Sequence, residues 1–388
     1  MNIKQELGKY IDRKSTLLAV GPMSKNCVDA TIEMSDKYNV PIMMIASRRQ
    51  IDSSAFGGGY VENWDTASYS KYVRSRSKKK KVILCRDHGG PYQNNFDFNN
   101  KCSFSQSMQN AKESIACDID NNFKIIHLDP SIASNQNKNL SQKEILDSLF
   151  ELMIFCKHYS KKKKKNFLIE VGTEEQTGKT TNFEEIEIFL KKINSFCEKN
   201  NTDKPTFVVI QTGTKVLEME NVGSFECPVR IKNEIPPEIQ IFKALELCSK
   251  YGVWMKEHNA DYLSEQSLAW HPKIGIHAVN VAPEFGVEET KNFIKILKKY
   301  NFRKELNIFL ELSYKSKKWE KWLKEKTKAS DLEKSIIAGH YIFSSKEFIE
   351  LKNRISYNLL KKNFDVDSFL KEKLKSKIFS YLKNFRLI

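Results

Sequence analysis

Short apolar runs alternate along the chain with stretches in which apolar residues return every three or four positions. The runs at 17–21, 41–47, 82–87, 125–129, 167–172, 207–212, 253–258 and 274–281 predict strands. Between them, segments such as 25–37, 142–158, 183–198, 236–250 and 287–300 predict amphipathic helices. A strand that is apolar throughout, not alternating, is buried on both faces, so strand-then-helix repetition indicates a parallel sheet covered by helices. Eight such units predict an α/β fold, a (β/α)8 TIM barrel.

Beyond Asn301 the rhythm changes. A short apolar piece at 309–314 precedes Lys-rich segments at 317–326, 329–338, 346–361 and 366–385 that read as amphipathic helices. The expected organisation is a barrel domain over 1–301 and a helical extension over 302–388 that packs on the barrel or on a partner subunit. A barrel spends about 250 residues on one core, so 388 residues leave room for that extension.

Polar residues cluster directly after seven of the predicted strands: Ser47-Arg48-Arg49, Asp87-His88-Gly89-Gly90, Asp129-Pro130-Ser131, Gly172-Thr173-Glu174, Gln211-Thr212-Gly213-Thr214, Glu257-His258-Asn259-Ala260-Asp261 and Asn280. A barrel carries its active site at the C-terminal ends of its strands, so these distant residues are expected to converge on one pocket. An enzyme is expected.

Composition narrows the alternatives. Apolar residues at 40% can build a large core. No run approaches the roughly 18 apolar residues of a membrane span, and the first residues lack a secretory signal, so a cytoplasmic protein is expected. The eight cysteines stand singly, without a CxxC pair, and are expected to be reduced thiols. A net charge of +16 raises nucleic acid as a partner, because a basic surface collects phosphates. The lysine runs at 78–81 and 161–165, however, sit just before strands, where they read as solvated loops, so nucleic acid is not the expected partner.

The strand ends also carry candidate chemistry. A histidine such as His88 can ligate a divalent metal while the neighbouring Asp87 moves protons on a substrate held there. His258 offers a second imidazole, and Glu170, Glu174 and Gln211 offer oxygen ligands from the strands between. That set suits zinc first, with manganese or magnesium as alternatives. Asp129, at its own strand end, and Glu170 are further catalytic candidates. Phosphate has no P-loop to bind, but barrels hold phosphate on the loops after their last strands, which points to Gly213, Thr214, Asn259, Asp261 and Asn280, with Arg48 or Arg49 for a second phosphate. His127 and His277, inside strands, are read as core or pocket-wall residues, and His158, His271 and His340 as helix or loop residues.

At these positions the chain resembles the GatZ/KbaZ type of class II tagatose-bisphosphate aldolase proteins. IASRRQIDSSAFGGGY (45–60) is similar to that family's EATxNQVNxxGGYTG segment, RDHGGPYQ (86–93) to DHLGPNxWQ, VGTEEQTG (171–178) to IGTEVPVPGG, VVIQTGT (208–214) to VVQPG, and KEHNADYLS (256–264) to EAHSTDYQ. The matches keep their order over residues 41 to about 285. The related fructose-type aldolases carry a metal histidine in a glycine-threonine-x-histidine turn on the sixth strand. Here that turn is Gly213-Thr214-Lys215-Val216, so Gln211 or Glu174 is expected to complete the metal site. The resemblance implies aldol cleavage or carbon-4 epimerisation of a phosphorylated ketose. Its alternative is a partner subunit in a hetero-oligomer with a separate aldolase subunit; a homo-oligomer is the other expected assembly.

Overall fold

The computed structural model describes residues 2–132, 140–172, 180–226 and 234–388. Eight parallel strands form the barrel: β1 Leu17–Val20, β2 Ile42–Ser47, β3 Val82–Asp87, β4 Ile125–Leu128, β5 Leu168–Val171, β6 Phe207–Ile210, β7 Trp254–Glu257 and β8 Ala278–Val281. They close in the order β1-β8-β7-β6-β5-β4-β3-β2. The expected (β/α)8 barrel with C-terminal helices is therefore the fold.

Helices cover the outside, and several of them start at a residue whose side chain caps the first turn. Ser24, Ser103, Ser141 and Asn182 each accept a backbone N–H in the first turn of the helices Lys25–Tyr38, Phe104–Asp120, Gln142–Lys163 and Phe183–Asn200. Their apolar faces join the strands in one core cluster, which includes Leu374, Ile378 and Tyr381 of the last helix, Val366–Asn384, and Phe385 just after it. That helix packs against Lys25–Tyr38 and Pro283–Lys299. Its attachment is also polar: Thr16 N donates to the Phe385 carbonyl (3.0 Å) and Ser15 Oγ to that of Arg386 (2.7 Å). A second apolar cluster joins Phe293, Ile296 and Leu297 to Phe309, Phe348, Leu351 and Ile355.

The structure departs from the sequence expectation in three segments. Residues 274–281 do not form one strand: Glu265–Ile274 is a helix, stopped by Gly275 at φ +99°, and β8 starts at Ala278. The apolar piece at 309–314 lies inside the helix Arg303–Lys315. Residues 317–326 are not an α-helix and keep only the 3-10 turn Glu320–Trp322. Trp319 Nε1 donates to the Tyr314 carbonyl (2.8 Å) and Glu218 N to that of Trp322 (2.5 Å), so backbone acceptors needed for a helix are used elsewhere.

One buried residue is expected to make the fold acid-sensitive. His340 lies against Gly286, where an added Cβ would come within 2.6 Å of the imidazole, and neither ring nitrogen has a hydrogen bond. Burial first, then the Lys321 charge, bring His340 down to about 3 from 6.5. The folded state thus keeps it neutral while the unfolded chain protonates it below about 6.5, so its contribution is present above that pH and is lost as pH falls towards 3. A His340→Leu variant is expected to lose about 2.5 kcal/mol less stability than wild type between pH 6.5 and 4.5, measured by urea unfolding. Parallel curves for the two proteins would remove His340 from the acid response.

Candidate active site and metal centre

A polar residue occupies the third position of four short strands: His127 in β4, Glu170 in β5, Lys256 in β7 and Asn280 in β8. All four are buried. Because side chains alternate along a strand, these positions share the barrel interior, while their neighbours face the helices. Arg86 and Glu257 show the outward alternative. Arg86 makes a bidentate pair with Asp118 of the helix Phe104–Asp120 (2.6 and 2.7 Å), and Glu257 takes Nε2 of His271 (2.7 Å). His271 is a satisfied core histidine.

Asp87 at the end of β3 and His258 just past β7 complete the inner group. His127 Nδ1 lies 3.6 Å from Asp87 Oδ1 and 3.7 Å from Glu170 Oε1. His258 Nε2 lies 3.7 Å from Glu170 Oε1 and 4.0 Å from Asp87 Oδ1. The rings of His88, His127 and His258 stand 5.5–5.6 Å apart, centroid to centroid. His88 turns its Nδ1 to Asp129 Oδ2 (2.6 Å) and its Nε2 towards Asp87 Oδ2 (3.7 Å). Gln93 Nε2 donates to the same Asp129 oxygen (2.7 Å) and Ser131 N to the other (3.1 Å), fixing the carboxylate that fixes the ring.

His88 sits at φ +47°, a left-handed conformation uncommon for a side chain of its size. The conformation aims its amide N–H at His127 Nδ1 (3.3 Å). Strain of this kind persists where the surroundings hold it, and here it joins the two histidines of one site.

The electrostatics follow from this packing. Burial would raise Asp87, but the His88, His127 and His258 imidazoles outweigh it and hold the carboxyl well below its usual range. Burial is likewise overcome at Glu170, which Lys256 above all, then His258 and His127, bring down to about 2. Lys256 Nζ reaches both Glu170 oxygens (2.8 and 3.0 Å), and that pairing lifts the lysine above its normal value against its own burial. At Asp129 burial is again outweighed, here by the His88 hydrogen bond, and the group is held down.

The donor set fits a divalent cation. Donor atoms of Asp87, His127, Glu170 and His258 all lie within 4.8 Å of one another. With bonds of about 2.1 Å, tetrahedral zinc ligands stand roughly 3.4 Å apart, close to the spacings here. The His88 amide presents a proton to His127 Nδ1, which makes that atom an unprotonated nitrogen 3.6 and 3.7 Å from carboxylate oxygens of Asp87 and Glu170, where a cation would compete with the amide for its lone pair. Three electron-rich atoms facing one another are stabilised by a shared positive charge.

Of the residues expected from sequence, Asp87, His88, Asp129, Glu170, His258 and Asn280 come together; Asn280 Nδ2 stands 3.4 Å from Asp87 Oδ1. His127, expected as core or pocket wall, joins the donor cluster, and Lys256 is its unforeseen cation. A polar residue inside an otherwise apolar strand was the signal for both. Glu174 lies outside the described residues. Gln211 directly follows β6, and its backbone pairs with Thr181.

The proposed phosphate loops prove to be tied to each other. Gly213 adopts φ +89° and its carbonyl accepts from Phe225 N (2.9 Å); Thr214 Oγ1 donates to the His258 carbonyl (2.6 Å), and Asn221 Nδ2 to that of Asn259 (2.8 Å). Asp261 accepts from Ala282 N and Glu284 N (3.0 and 2.9 Å). It thereby occupies the amides at the start of the helix Pro283–Lys299 that an anion would use. Burial, then Glu284, push Asp261 up to about 7. Arg48 is buried, pairing with Asp52 (3.0 Å) and donating to the Gly90 carbonyl (2.8 Å), so it braces the loops and does not face the mouth. Arg49, the next residue, is half-buried.

Gly90 lets two strand ends meet: a Cβ there would lie 1.8 Å from the Asp129 carbonyl oxygen. Gly90→Ala is expected to displace Asp129 from His88 and destabilise the protein by about 1–3 kcal/mol, read by urea unfolding with loss of turnover. Wild-type stability and rate in this variant would show that the contact is not needed.

No family model matches the chain, and no curated protein sequence matches it. Its backbone is similar to those of solved structures. A "probable tagatose 6 phosphate kinase" from Sinorhizobium meliloti superimposes with a TM-score of 0.74 at 13% identity, over 95% of this chain and 100% of that one. The fructuronate-tagaturonate epimerase UxaE from Cohnella laeviribosi gives 0.56 at 11% identity, over 96% and 81%. The fructose-bisphosphate aldolase of Campylobacter jejuni gives 0.54 at 12% identity, over 100% and 94%. At these identities the likeness establishes a fold, one that sugar-processing enzymes also use.

Proposed function

We propose that this chain is a metal-dependent enzyme of aldol and retro-aldol chemistry on a phosphorylated ketose, either cleaving the carbon–carbon bond or rejoining the fragments to epimerise carbon 4. The observation that carries this reading is the Asp87–His127–Glu170–His258 cluster at the mouth of the barrel, in which all but Asp87 are buried. Asp87, His127, Glu170 and His258 would hold the metal, zinc by choice of donors, with manganese or magnesium as alternatives. A divalent ion there supplies polarisation of a ketose carbonyl. The backbone likeness to an aldolase and to an epimerase supports the reaction class.

The chain's own residues supply the proton path. Asp87, His88 and Asp129 form a carboxylate–imidazole–carboxylate line, in which Asp129 orients the ring and Asp87 and His88 exchange a proton with the substrate hydroxyl beside the carbonyl. Lys256 keeps Glu170 ionised, and Asn280 steadies Asp87.

The deciding experiment measures metal bound by the purified chain and screens ketose phosphates for triose-phosphate release and for epimer formation. Stoichiometric metal with either product supports the enzyme. A folded chain with neither would sink it and favour the supporting subunit of a separate aldolase.

A further inference from the structure

Each carboxylate of the donor cluster divides its two oxygens between different neighbours. Glu170 Oε1 stands 3.7 Å from His127 Nδ1 and 3.7 Å from His258 Nε2, and Asp87 Oδ1 stands 3.6 and 4.0 Å from the same two atoms. The second oxygens point elsewhere. Asp87 Oδ2 faces His88 Nε2 (3.7 Å), and Glu170 Oε2 accepts from Lys256 Nζ (2.8 Å), which also reaches Oε1 (3.0 Å).

The two Lys256 distances are nearly equal, so the ammonium sits in the notch between the Glu170 oxygens, where a chelated cation would sit. Lys256 comes from β7 and Glu170 from β5, and both are buried inside the barrel, so water does not compete for that place. A cation shared with the imidazoles is left the outer edge of Oε1, the side that His127 and His258 face. The distinction matters because a carboxylate bound through both oxygens fills two coordination positions and one bound through a single oxygen fills one. Zinc is content with few ligands, whereas larger oxygen-seeking ions such as manganese gain from a chelating carboxylate.

We propose that Lys256 sets the coordination number of the metal centre: by filling the notch of Glu170 it restricts that carboxylate to one ligating oxygen and reserves coordination positions for oxygens of the substrate. Lys256 is thus a positioning residue that acts through Glu170, and it biases the site towards zinc and against manganese. This rests on the metal-dependent reading above.

The test loads the full chain and Lys256→Met with cobalt(II) and compares their visible spectra, in which the d–d bands weaken as a tetrahedral ion gains ligands. Wild type is expected to give the intense bands of a four-coordinate ion and Lys256→Met clearly weaker ones. Adding Glu170→Gln to Lys256→Met is expected to restore the intensity, because an amide has one oxygen to give. Competition with a chromogenic chelator should show the preference for zinc over manganese falling about 10-fold in Lys256→Met. Loss of a positive charge strengthens the binding of both ions, and only the freed notch favours manganese.

Equal gains for the two ions with an unchanged cobalt spectrum would overturn the proposal. So would weak, six-coordinate bands in wild type, a result that needs no variant and decides the matter should Lys256→Met fail to fold. Ketose-phosphate turnover on the same samples separates the two readings. Bound metal and turnover in wild type, with no response of the centre to Lys256→Met, remove the role of Lys256 alone. A four-coordinate centre that responds to Lys256→Met in a chain without turnover removes the aldol reading alone.

Discussion

Replacing His127 by alanine is expected to weaken zinc binding about 100-fold and to abolish ketose-phosphate turnover, and His258→Ala is expected to do the same. Four-ligand zinc sites gain roughly 10–16 kcal/mol, so one ligand is worth about 3 kcal/mol, or about two powers of ten. His127 is the sharper case because its strand position makes it an ordinary core residue by sequence, whereas its Nδ1 faces Asp87 and Glu170 at 3.6 and 3.7 Å. The control is His158→Ala, on the outer helix Gln142–Lys163, which should leave metal and rate unchanged. Competition with a chromogenic chelator measures the affinity. A His127→Ala protein that holds zinc as wild type does would take His127 out of the site and leave the burden on His88 and His258.

The barrel was legible because a parallel sheet buries both faces, and the resulting apolar runs stand out from the polar loops around them. Boundaries were less so. The run at 274–281 hid a helix end because Gly275 lies inside an apolar stretch, and only its left-handed backbone marks the stop. The segment 317–326 carries helix-favouring lysines, but its tryptophans are pinned to Tyr314 and Tyr341, contacts that no local pattern encodes. In the site, Asp87, His88, Glu170 and His258 were readable from their places at strand ends. Arg48 and Arg49 were not separable by sequence: one residue of offset turns Arg48 into the buried pair with Asp52 and leaves Arg49 half-buried by the tyrosines. Lys256 was overlooked because a lysine beside a glutamate reads as surface, while strand alternation sends Lys256 inward and Glu257 outward.

Lys256→Met is expected to destabilise the metal-free protein by about 3–5 kcal/mol, the cost of leaving a buried carboxylate without its cation. Lys256 and Glu170 are each 1% exposed, so water cannot replace the lost partner. The loss should depend on pH. In wild type Glu170 is held at about 2, so its contribution is present above 4.5 and fades as pH falls towards 2. In the variant that contribution is gone, and the gap between the two proteins should therefore narrow in acid. Lys256→Met combined with Glu170→Gln should recover much of the stability, since no unpaired charge remains, and the double-mutant cycle isolates the pair from everything else each residue touches. Urea unfolding after chelation at pH 7 and pH 4 supplies all the numbers. A Lys256→Met protein as stable as wild type at both would mean that His127, His258 and Asn280 suffice to solvate the acidic pair. Lys256 would then have to be explained by what it does to a substrate.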